Sequence, residues 1–520
     1  MKSVRIIYHL ARADFLERVR RYSFLVMLGL VVFLGYQTAI GNMALELGLY
    51  RGEFNSAWVG AMMSLIATFF IGWFGFYLVK GSVGRDRETG VGQIMAATPL
   101  TRPLYLIGKW LSNLAVLLAM VAVLALAAVV IQFLRGENTQ INLLTFLSPF
   151  VFIVMPLMAL VAAVAVLFES VPFLQGGLGN IIYFFAFIGF LPFFMENPTF
   201  QQYSAFEPTG LGLLGSEMGK AVAAIYPEYN GDFSLGGGFV AATRVFTWNG
   251  VQWTPEIILA RCSLIALAIL IIFFSALFFD RFDPSRAKPR RMKPRMTKPD
   301  PTPVITALAN PNVHLTPLKT AANRFSFFNV FIAEIKLLLK GQHWWWYVIM
   351  VGIIIACLVT PSVAVREYAL PIAWVWPILL WSAIGNREIH NNVQQMTFSS
   401  ASPLIRQLPA QWLAGFIVTL LVSTGAIIRF IVDGDTVGLL ALISGAFFIP
   451  SLALASGIWS GTGKLFEILY MLIWYLGPLN KIGELDYIGS HGNGRPEIFI
   501  PFSILLIVFA VIGRVRQIRT

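Results

Sequence analysis

The chain has 520 residues, of which 57% are hydrophobic and only 12% are charged. Soluble globular proteins are about 45–50% apolar and about 25% charged, so this composition excludes an ordinary soluble protein and favours a membrane protein. The formal net charge of +12 is compatible with binding to nucleic acid or anionic lipid, or with basic cytoplasmic loops, and the positions of the charges decide among these.

The apolar runs along the chain predict about twelve membrane-spanning helices, because a helix needs about 20 apolar residues to cross the hydrocarbon core. The first six runs are Tyr22–Ile40, Ala57–Leu78, Trp110–Leu134, Thr145–Phe168, Asn180–Met195 and Glu256–Phe279. The last six are Trp344–Thr360, Ala369–Ile384, Trp412–Val432, Val437–Ser460, Ile468–Leu479 and Glu497–Ile512. We expect the first run to be an uncleaved span, since a long charged stretch precedes it. The eleventh contains Gly477-Pro478 and is also compatible with a re-entrant pair.

Lysine and arginine predict the orientation of these spans, because they concentrate in short cytoplasmic loops. Basic residues cluster in the N-terminal stretch, after the second span, after the sixth span and in the C-terminal tail. With an even number of spans, all four clusters lie on one face, so we expect both termini in the cytoplasm and the chain in the cell membrane. The opposite loop, about 196–255, contains only two basic residues, Lys220 and Arg244. The excess charge is therefore topological, and we predict no nucleic acid partner.

A basic, proline-rich stretch at 281–327 divides the chain into two similar parts. We predict a first six-span repeat at 1–280, a cytoplasmic linker at 281–327 and a second six-span repeat at 328–520. Docking of the linker on anionic lipid headgroups is a further possibility. An amphipathic helix at the membrane interface is expected before the first span of each repeat. Its apolar positions are Val4, Ile7, Ala11, Phe15 and Val19 in the first repeat and Phe328, Phe331, Ile335 and Leu338 in the second, where Glu334, Lys336 and Lys340 form the polar face.

Two loops that follow the second span of each repeat are similar to each other. The first loop (84–111) reads GRDRETGVGQIMAATPLTRPLYLIGKWL, and the second loop (385–413) reads GNREIHNNVQQMTFSSASPLIRQLPAQWL. Arg87-Glu88 corresponds to Arg387-Glu388, Thr98-Pro99 to Ser402-Pro403, and Trp110 to Trp412. Because proline suits the first turn of a helix, each Thr/Ser-Pro step is expected to begin one.

The first loop resembles the first cytoplasmic loop of type-2 ATP-binding-cassette (ABC) exporter permeases, and the second half resembles it less closely, having Ala410-Gln411 in place of Gly108-Lys109. The resemblance implies two permease units fused in tandem, in which each loop forms a coupling helix that binds an ATPase. It also implies outward transport. Since one chain contains both halves, we expect it to bind two ATPase copies, and our working hypothesis is alternating access by two facing bundles. The candidate coupling residues are Arg85, Arg87, Glu88, Thr98, Pro99, Arg102, Lys109, Arg387, Glu388, Ser402, Pro403 and Arg406.

The sequence contains no ATPase motif of its own. Gly461–Leu465 lacks the glycine spacing of a phosphate-binding loop and ends in leucine where a magnesium-binding hydroxyl belongs. We therefore expect no enzyme activity and no cofactor in this chain, with ATP hydrolysed by a partner subunit. Five scattered histidines and two cysteines in apolar runs predict neither a catalytic nor a metal site; they are His9, His314, His343, His390, His491, Cys262 and Cys357.

Two other function classes stay open. An ion-coupled secondary transporter usually needs ionisable residues deep in the membrane, whereas the charges within these spans lie near their ends, at Arg261, Arg429, Glu256 and Glu497. We expect Arg261 and Arg429 to extend towards the outer headgroups. A membrane receptor or enzyme subunit that uses the outer loop is the other alternative. The scarcity of charge favours a hydrophobic or amphipathic substrate, with metal ions and sugars not excluded.

Overall fold

The computed structural model describes residues 2–41, 43–135, 137–196, 204–231, 233–236, 244–282, 327–340, 342, 344–400, 402–480, 482–490 and 495–519. The chain forms two compact units, Met1–Arg286 and Ala287–Thr520. The division falls within the stretch predicted to be a linker, most of which lies outside the described residues, as do parts of the outer loop 196–255.

The first unit is mostly helical. Its helices are α1 (Lys2–Val19), α2 (Tyr22–Ala39), α3 (Ser56–Ile66), α4 (Gly72–Val79), α5 (Ser82–Glu88), α6 (Val91–Ala96), α7 (Arg102–Arg135), α8 (Leu143–Pro149), α9 (Met155–Ser170), α10 (Gly177–Glu196), α11 (Leu211–Ile225) and α12 (Pro255–Phe278). Single π-helical turns join α3 to α4 and α8 to α9. Polar side chains begin three of these helices, because Asn55, Asn142 and Thr254 each accept a hydrogen bond from a backbone N–H of the first turn.

Four short strands accompany the helices of this unit. They are β1 (Ala44–Glu46), β2 (Tyr50–Gly52), β3 (Ser234–Gly236) and β4 (Arg244–Phe246). β1 pairs with β3 in antiparallel orientation, and β2 pairs with β4 in parallel orientation. The outer loop therefore folds back onto the connection between α2 and α3. The prediction of an all-α fold omitted these strands, since three residues are too few to show the alternation of a strand.

The second unit is also helical. Its helices are α13 (Phe327–Leu339), α14 (Trp344–Val359), α15 (Ser362–Ala364), α16 (Leu370–Val375), α17 (Ile378–Trp381), α18 (Arg387–His390), α19 (Gln394–Phe398), α20 (Pro403–Val422), α21 (Thr424–Val432), α22 (Thr436–Ser460), α23 (Lys464–Trp474) and α24 (Pro496–Arg519). A π-helical turn, Val365–Ala369, precedes α16, and another, Tyr475–Leu479, extends α23. Large aromatic side chains fill its core, with Trp374, Trp381, Tyr470 and Tyr487 all fully buried.

The two units pack their helices in the same order. In the first, α1 and α2 both contact α7, and α12 packs along α9. In the second, α13 contacts α20, α14 contacts α21, and α24 packs along α22. Within each unit, the opening helix bends away from the next one, by 73° between α1 and α2 and by 100° between α13 and α14.

Seven helical stretches of the described residues are long and apolar enough to cross a membrane, or nine if each bent pair counts as one span. The seven are Ser56–Glu88, Arg102–Leu134, Leu143–Ser170, Pro255–Phe278, Pro403–Val422, Thr436–Ser460 and Pro496–Arg519. They overlap predicted spans two, three, four, six, nine, ten and twelve, and the bent pairs contain spans one and seven. A multi-pass membrane protein is therefore supported, while the count of twelve stays a prediction.

Three predicted spans are not among these stretches. The fifth lies in α10, of which Gly177–Gly189 forms a shorter apolar helix. The eighth is interrupted between α16 and α17, where Pro377 has no N–H to donate and its ring would clash with a preceding carbonyl. The eleventh changes from α-helix to π-helix before Gly477-Pro478.

Arg261 does not extend to a headgroup region, as the sequence had predicted. Its side chain on α12 is only 1% exposed, and its guanidinium donates a hydrogen bond to the backbone carbonyl of Glu207. The Glu207 carboxylate in turn accepts hydrogen bonds from the backbone N–H of Thr209, before α11, and from that of Gly212, in the first turn of α11. The prediction for Arg261 was wrong because the connection before α11 brings a carbonyl acceptor to its guanidinium. Arg429, for which the same prediction was made, forms an ion pair with Asp433 at 3.0 Å.

Candidate functional site

The first loop folds into two short helices, α5 and α6, followed by the long helix α7. Gly81 precedes α5 with φ of +117°, and Gly90 precedes α6 with φ of +75°. Both values lie in the left-handed region that glycine adopts without a steric penalty. These two glycines let the chain turn sharply twice, so that α5 packs on the unit and α6 projects from it.

Glu169, the second last residue of α9, holds the start of α5. Its carboxylate accepts hydrogen bonds from the backbone N–H groups of residues 81–84, at 2.6 to 3.0 Å. The first N–H groups of a helix have no partner within the helix, and a negative charge there is also favoured by the helix dipole. A side chain more than 80 residues away in sequence therefore caps α5 and fixes it to α9.

Asp14 of α1 is the centre of a buried ionic cluster beneath the first loop. Its carboxylate lies 2.6 Å from the Arg18 guanidinium and 2.7 Å from that of Arg85. It also accepts hydrogen bonds from Lys109 at 2.9 Å and from Ser112 at 2.7 Å. Burial by itself raises the pKa of Asp14, but Arg18 and Lys109 outweigh it and hold the pKa well below the usual value. Asp14 is thus ionised, and it ties α1 to α5 and α7.

Lys109 connects this cluster to a second carboxylate. The lysine is 1% exposed, and its ammonium lies 2.7 Å from Asp86 of α5 and 2.9 Å from Asp14. Asp86 also accepts a hydrogen bond from the Tyr105 hydroxyl at 2.7 Å. Lys109 therefore compensates two buried carboxylates at once, which a buried charge requires.

The other candidate residues of the first loop lie at its surface. Glu88, Thr98 and Pro99 are exposed, and Arg102 is half-buried. Arg87 is exposed and lies 3.1 Å from Asp280, beyond the end of α12. The prediction that Thr98-Pro99 begins a helix was wrong, because α6 ends at Ala96 and α7 begins at Arg102, with Pro103 in its first turn.

The second loop uses similar elements with different side chains. Glu388 of α18 is buried and accepts hydrogen bonds from the side-chain amides of Gln407 and Gln411. The Arg514 guanidinium of α24 lies 3.5 Å from the same carboxylate. Arg387 forms an ion pair with Glu334 of α13 at 3.0 Å. Burial raises the pKa of Glu334, Arg387 opposes this effect, and Glu388 adds to it.

The remaining candidates of the second loop lie at the junction with α20. Ser402 is exposed and has a left-handed φ of +57°, and α20 begins at Pro403 as the sequence predicted. Pro403 and Arg406 are half-buried in the first turn of that helix. The short helix α19 exposes Met396, as α6 exposes Ile94; the two side chains are 74% and 70% exposed.

Contacts relate the two loops in a register that differs from the sequence comparison. Arg85 and Asp86 contact α1 and α7, and Arg387 and Glu388 contact α13 and α20. By contacts, Arg387-Glu388 therefore corresponds to Arg85-Asp86 and not to Arg87-Glu88. Glu334 takes the place of Asp14, and Gln411 takes the place of Lys109.

Several residues of these clusters were not among the candidates that the sequence predicted. They are Asp14, Arg18, Asp86, Glu169, Glu334, Gln411 and Arg514. One signal was present: Asp14 and Glu334 are acidic residues in short, largely basic or apolar opening helices. Glu334 was assigned to the polar face of its helix, but its side chain is buried.

The described part of the chain brings no three His, Cys, Asp or Glu side chains together in a way that could hold a metal ion. His314, His343 and His491 lie outside the described residues. Cys262 is exposed and Cys357 is buried, and both are free thiols.

One protein-family model matches the part of the chain that contains the first loop. Residues 8–229, a little under half of the chain, match the family model described as ABC-2 family transporter protein. This match supports an ABC-2 permease. Together with the apolar helices, it supports a transmembrane transport subunit of an ABC transporter. Permeases of this family are not ATPases and generally pair with an ABC ATPase. The matched residues contain the first loop and not the second, and comparisons with curated proteins and with solved structures found no significant match.

Proposed function

We propose that this chain is the membrane-spanning subunit of an ABC exporter, which moves a hydrophobic or amphipathic substrate outward across the cytoplasmic membrane. Energy comes from a separate ATPase, and both termini lie on the cytoplasmic side. The observation that carries the proposal is the family match over residues 8–229, which contains the first loop and its buried cluster.

The geometry of the first loop supports a coupling role. An ATPase can move helices in a membrane only through an element that is accessible at one end and firmly attached at the other. The helix α6 exposes Ile94, while α5 is fixed by Glu169 and by the cluster around Asp14. The first loop thus exposes an apolar side chain together with charged groups such as Glu88, which suits a protein interface with an apolar core and a polar rim.

We further propose that the second unit is a second permease unit, so that one chain binds two ATPase copies. The shared packing order of the helices supports this, as does the pairing of Arg387 with Glu334 and of Glu388 with Gln411. Met396 would then take the place of Ile94. Twelve spans, as two repeats of six, are the arrangement that this proposal implies.

Gentle affinity purification of the tagged chain from its native membrane tests the proposal. We expect a cytosolic protein with a phosphate-binding loop to co-purify at about two copies for each permease chain, measured by mass spectrometry. One copy would restrict ATPase binding to a single loop. A chain that is isolated alone, yet transports in liposomes under an ion gradient, would replace the proposal with a secondary transporter.

A second experiment tests the assigned surface. Ile94→Ala removes an apolar anchor, so we expect about tenfold weaker ATPase binding, equal to about 1.4 kcal/mol. Glu88→Arg reverses an exposed charge of the same loop and should also weaken binding. Leu126→Ala is the matched control, because Leu126 of α7 is 68% exposed but lies within a predicted span. Unchanged binding of both loop variants would reject this surface.

A further inference from the structure

The chain after α12 returns beneath the first loop. Asp280, Arg281 and Phe282 follow this last helix of the first unit, and the backbone of Arg281 and Phe282 is left-handed, with φ of 55° and 61°. Few residues other than glycine adopt this conformation, and two in succession persist only where surrounding contacts stabilise them. Those contacts are made with α6 and with its neighbours.

Arg281 caps the far end of α6. Its guanidinium donates hydrogen bonds to the backbone carbonyls of Ala96 at 3.2 Å and of Thr98 at 2.8 Å. The last carbonyls of a helix have no partner within the helix, and a positive charge is favoured beside them. A residue that follows α12 therefore satisfies the end of α6.

Aromatic packing completes this connection. Phe282 packs against Gly92 so closely that a Cβ atom there would lie 2.6 Å from its ring. The Phe282 ring also meets Tyr105 edge to face at 5.5 Å, and Phe279 stacks on Tyr105 at 5.2 Å. Asp280 adds the ion pair with Arg87. The first loop is thus held by α9 at its start, through Glu169, and by the end of α12 at its far end.

The second unit has a corresponding contact made by different residues. Arg514, close to the end of the last helix α24, places its guanidinium 4.9 Å from the ring of Phe398, the final residue of α19. The same group lies 3.5 Å from the carbonyl of Gly385 and from Glu388. A guanidinium over an aromatic face is attracted by the ring quadrupole. In both units, an arginine near or just beyond the end of the last helix contacts the short helix of the loop.

We infer that Arg281 and Arg514 are positioning residues that join the short helix of each loop to the last helix of the same unit. When α6 or α19 is displaced, these contacts carry the displacement to α12 or α24. Since α12 packs along α9, and α24 along α22, the helices that receive the motion are those that pack together in each unit. This inference rests on the proposed coupling role of the loops.

Spin-label distances in the full-length chain, in lipid nanodiscs, test the connection without an ATPase. Labels at Ile94→Cys and Leu277→Cys, with Cys262 and Cys357 replaced by serine and alanine, report the separation of α6 and the end of α12. Both label sites are exposed. We expect Arg281→Ala to broaden the distance distribution about twofold. Arg12→Ala is the control and leaves it unchanged, because Arg12 is an exposed arginine of α1.

A distribution as narrow as that of the parent chain in Arg281→Ala would overturn the inference. Should this variant not fold, Arg281→Lys keeps a donor to one carbonyl, and its distribution must then be broader than the parent's. Phe398→Leu tests the second unit by the same measurement, with labels at Met396→Cys and Ile512→Cys. This substitution removes the ring that Arg514 contacts and leaves the Glu388 carboxylate paired.

Kinetics with the co-purified ATPase distinguish positioning from a purely structural effect. We expect Arg281→Ala and Phe398→Leu to reduce permease-stimulated kcat about tenfold while the Kd for the ATPase changes less than about twofold. Equal loss of binding and of kcat would overturn the positioning role. An ATPase that does not bind the parent chain would reject the proposed function, and the spin-label result would still decide whether the connection exists.

Discussion

The first and second loops of this chain occupy equivalent places in their units but compensate their buried charges differently. In the first, Asp14 and Asp86 share the ammonium of Lys109. In the second, Glu388 accepts a hydrogen bond from Gln411, a neutral side chain, and lies 3.5 Å from Arg514 of the last helix. The opening helix contributes a carboxylate to an arginine of the loop in both units. The arrangement of helices thus persists although the charges that hold it have changed.

This difference has a mechanical consequence. The cluster of the first loop joins α1, α5 and α7 by direct ion pairs, and Glu169 adds α9. For the second loop, the described residues supply one ion pair of 3.0 Å, a longer ion pair of 3.5 Å and amide hydrogen bonds. Where the donor and the acceptor are both charged, their Coulomb attraction adds to the hydrogen bond, and the first loop has more such pairs. We therefore expect the first loop to be the more rigid of the two, and the predictions below test this.

The largest expected effect comes from a matched pair of substitutions, Lys109→Met and Gln411→Met. The first leaves two buried carboxylates without their shared cation, which typically costs about 3–5 kcal/mol. The second removes one hydrogen bond to Glu388, which keeps Gln407 and Arg514, at about 1–3 kcal/mol. Hydrogen exchange of the amides of α5 and of α18 measures the loss of protection in each variant. Equal losses would remove the proposed difference in rigidity.

A smaller effect is expected from Glu169→Gln. The amide keeps one acceptor oxygen but loses the charge that the first turn of α5 favours, so we expect a cost of about 1–2 kcal/mol. Exchange of the amides of residues 82–84 should be about tenfold faster, while α18 in the second unit is unaffected. Glu217→Gln is the control, because Glu217 forms a surface ion pair with the exposed Lys220, and such pairs contribute little. No change at residues 82–84 would show that Glu169 does not stabilise α5.

The smallest effect is a difference in pH dependence between the two opening helices. The pKa of Asp14 is lowered, so its contribution to stability is complete above its ordinary value of 3.8 and is lost only as pH falls below it. The pKa of Glu334 is raised above 4.5, so its contribution is present at low pH and is lost as pH rises through the raised value. As the pH is lowered from neutral to 4.5, the protection of α13 from hydrogen exchange should therefore increase, while that of α1 stays constant.

Hydrogen exchange corrected for the intrinsic effect of pH measures this difference. Glu334→Gln should abolish the pH dependence of α13, since the amide does not titrate, and Lys336→Gln on the same helix should leave it in place. A pH-independent α13 in the parent chain would contradict the raised pKa of Glu334.

Comparison of the two loop sequences predicted the start of one helix correctly but not the register between the loops. Identical letters placed Arg87-Glu88 opposite Arg387-Glu388, whereas the contacts place Arg85-Asp86 there. Two short loops of different length offer too few identical residues to fix the register. The Ser402-Pro403 step did predict the start of α20, since the geometry of proline is a local property. The same rule failed at Thr98-Pro99, because Pro103 begins α7 instead.

The sequence by itself determined the class of protein and most of its long helices. The length of an apolar run is a local property, and the thickness of the bilayer sets the length that a span needs. Spans such as Leu143–Ser170 and Thr436–Ser460 could therefore be located without a structure. The tertiary structure decided which charges are buried together. Asp14, Lys109 and Glu169 are far apart in the chain, and the identity of a charged residue does not tell whether its side chain meets water or an ion pair. Only the packing of α1, α5, α7 and α9 brings these groups within hydrogen-bond distance, and that packing depends on contacts between distant segments.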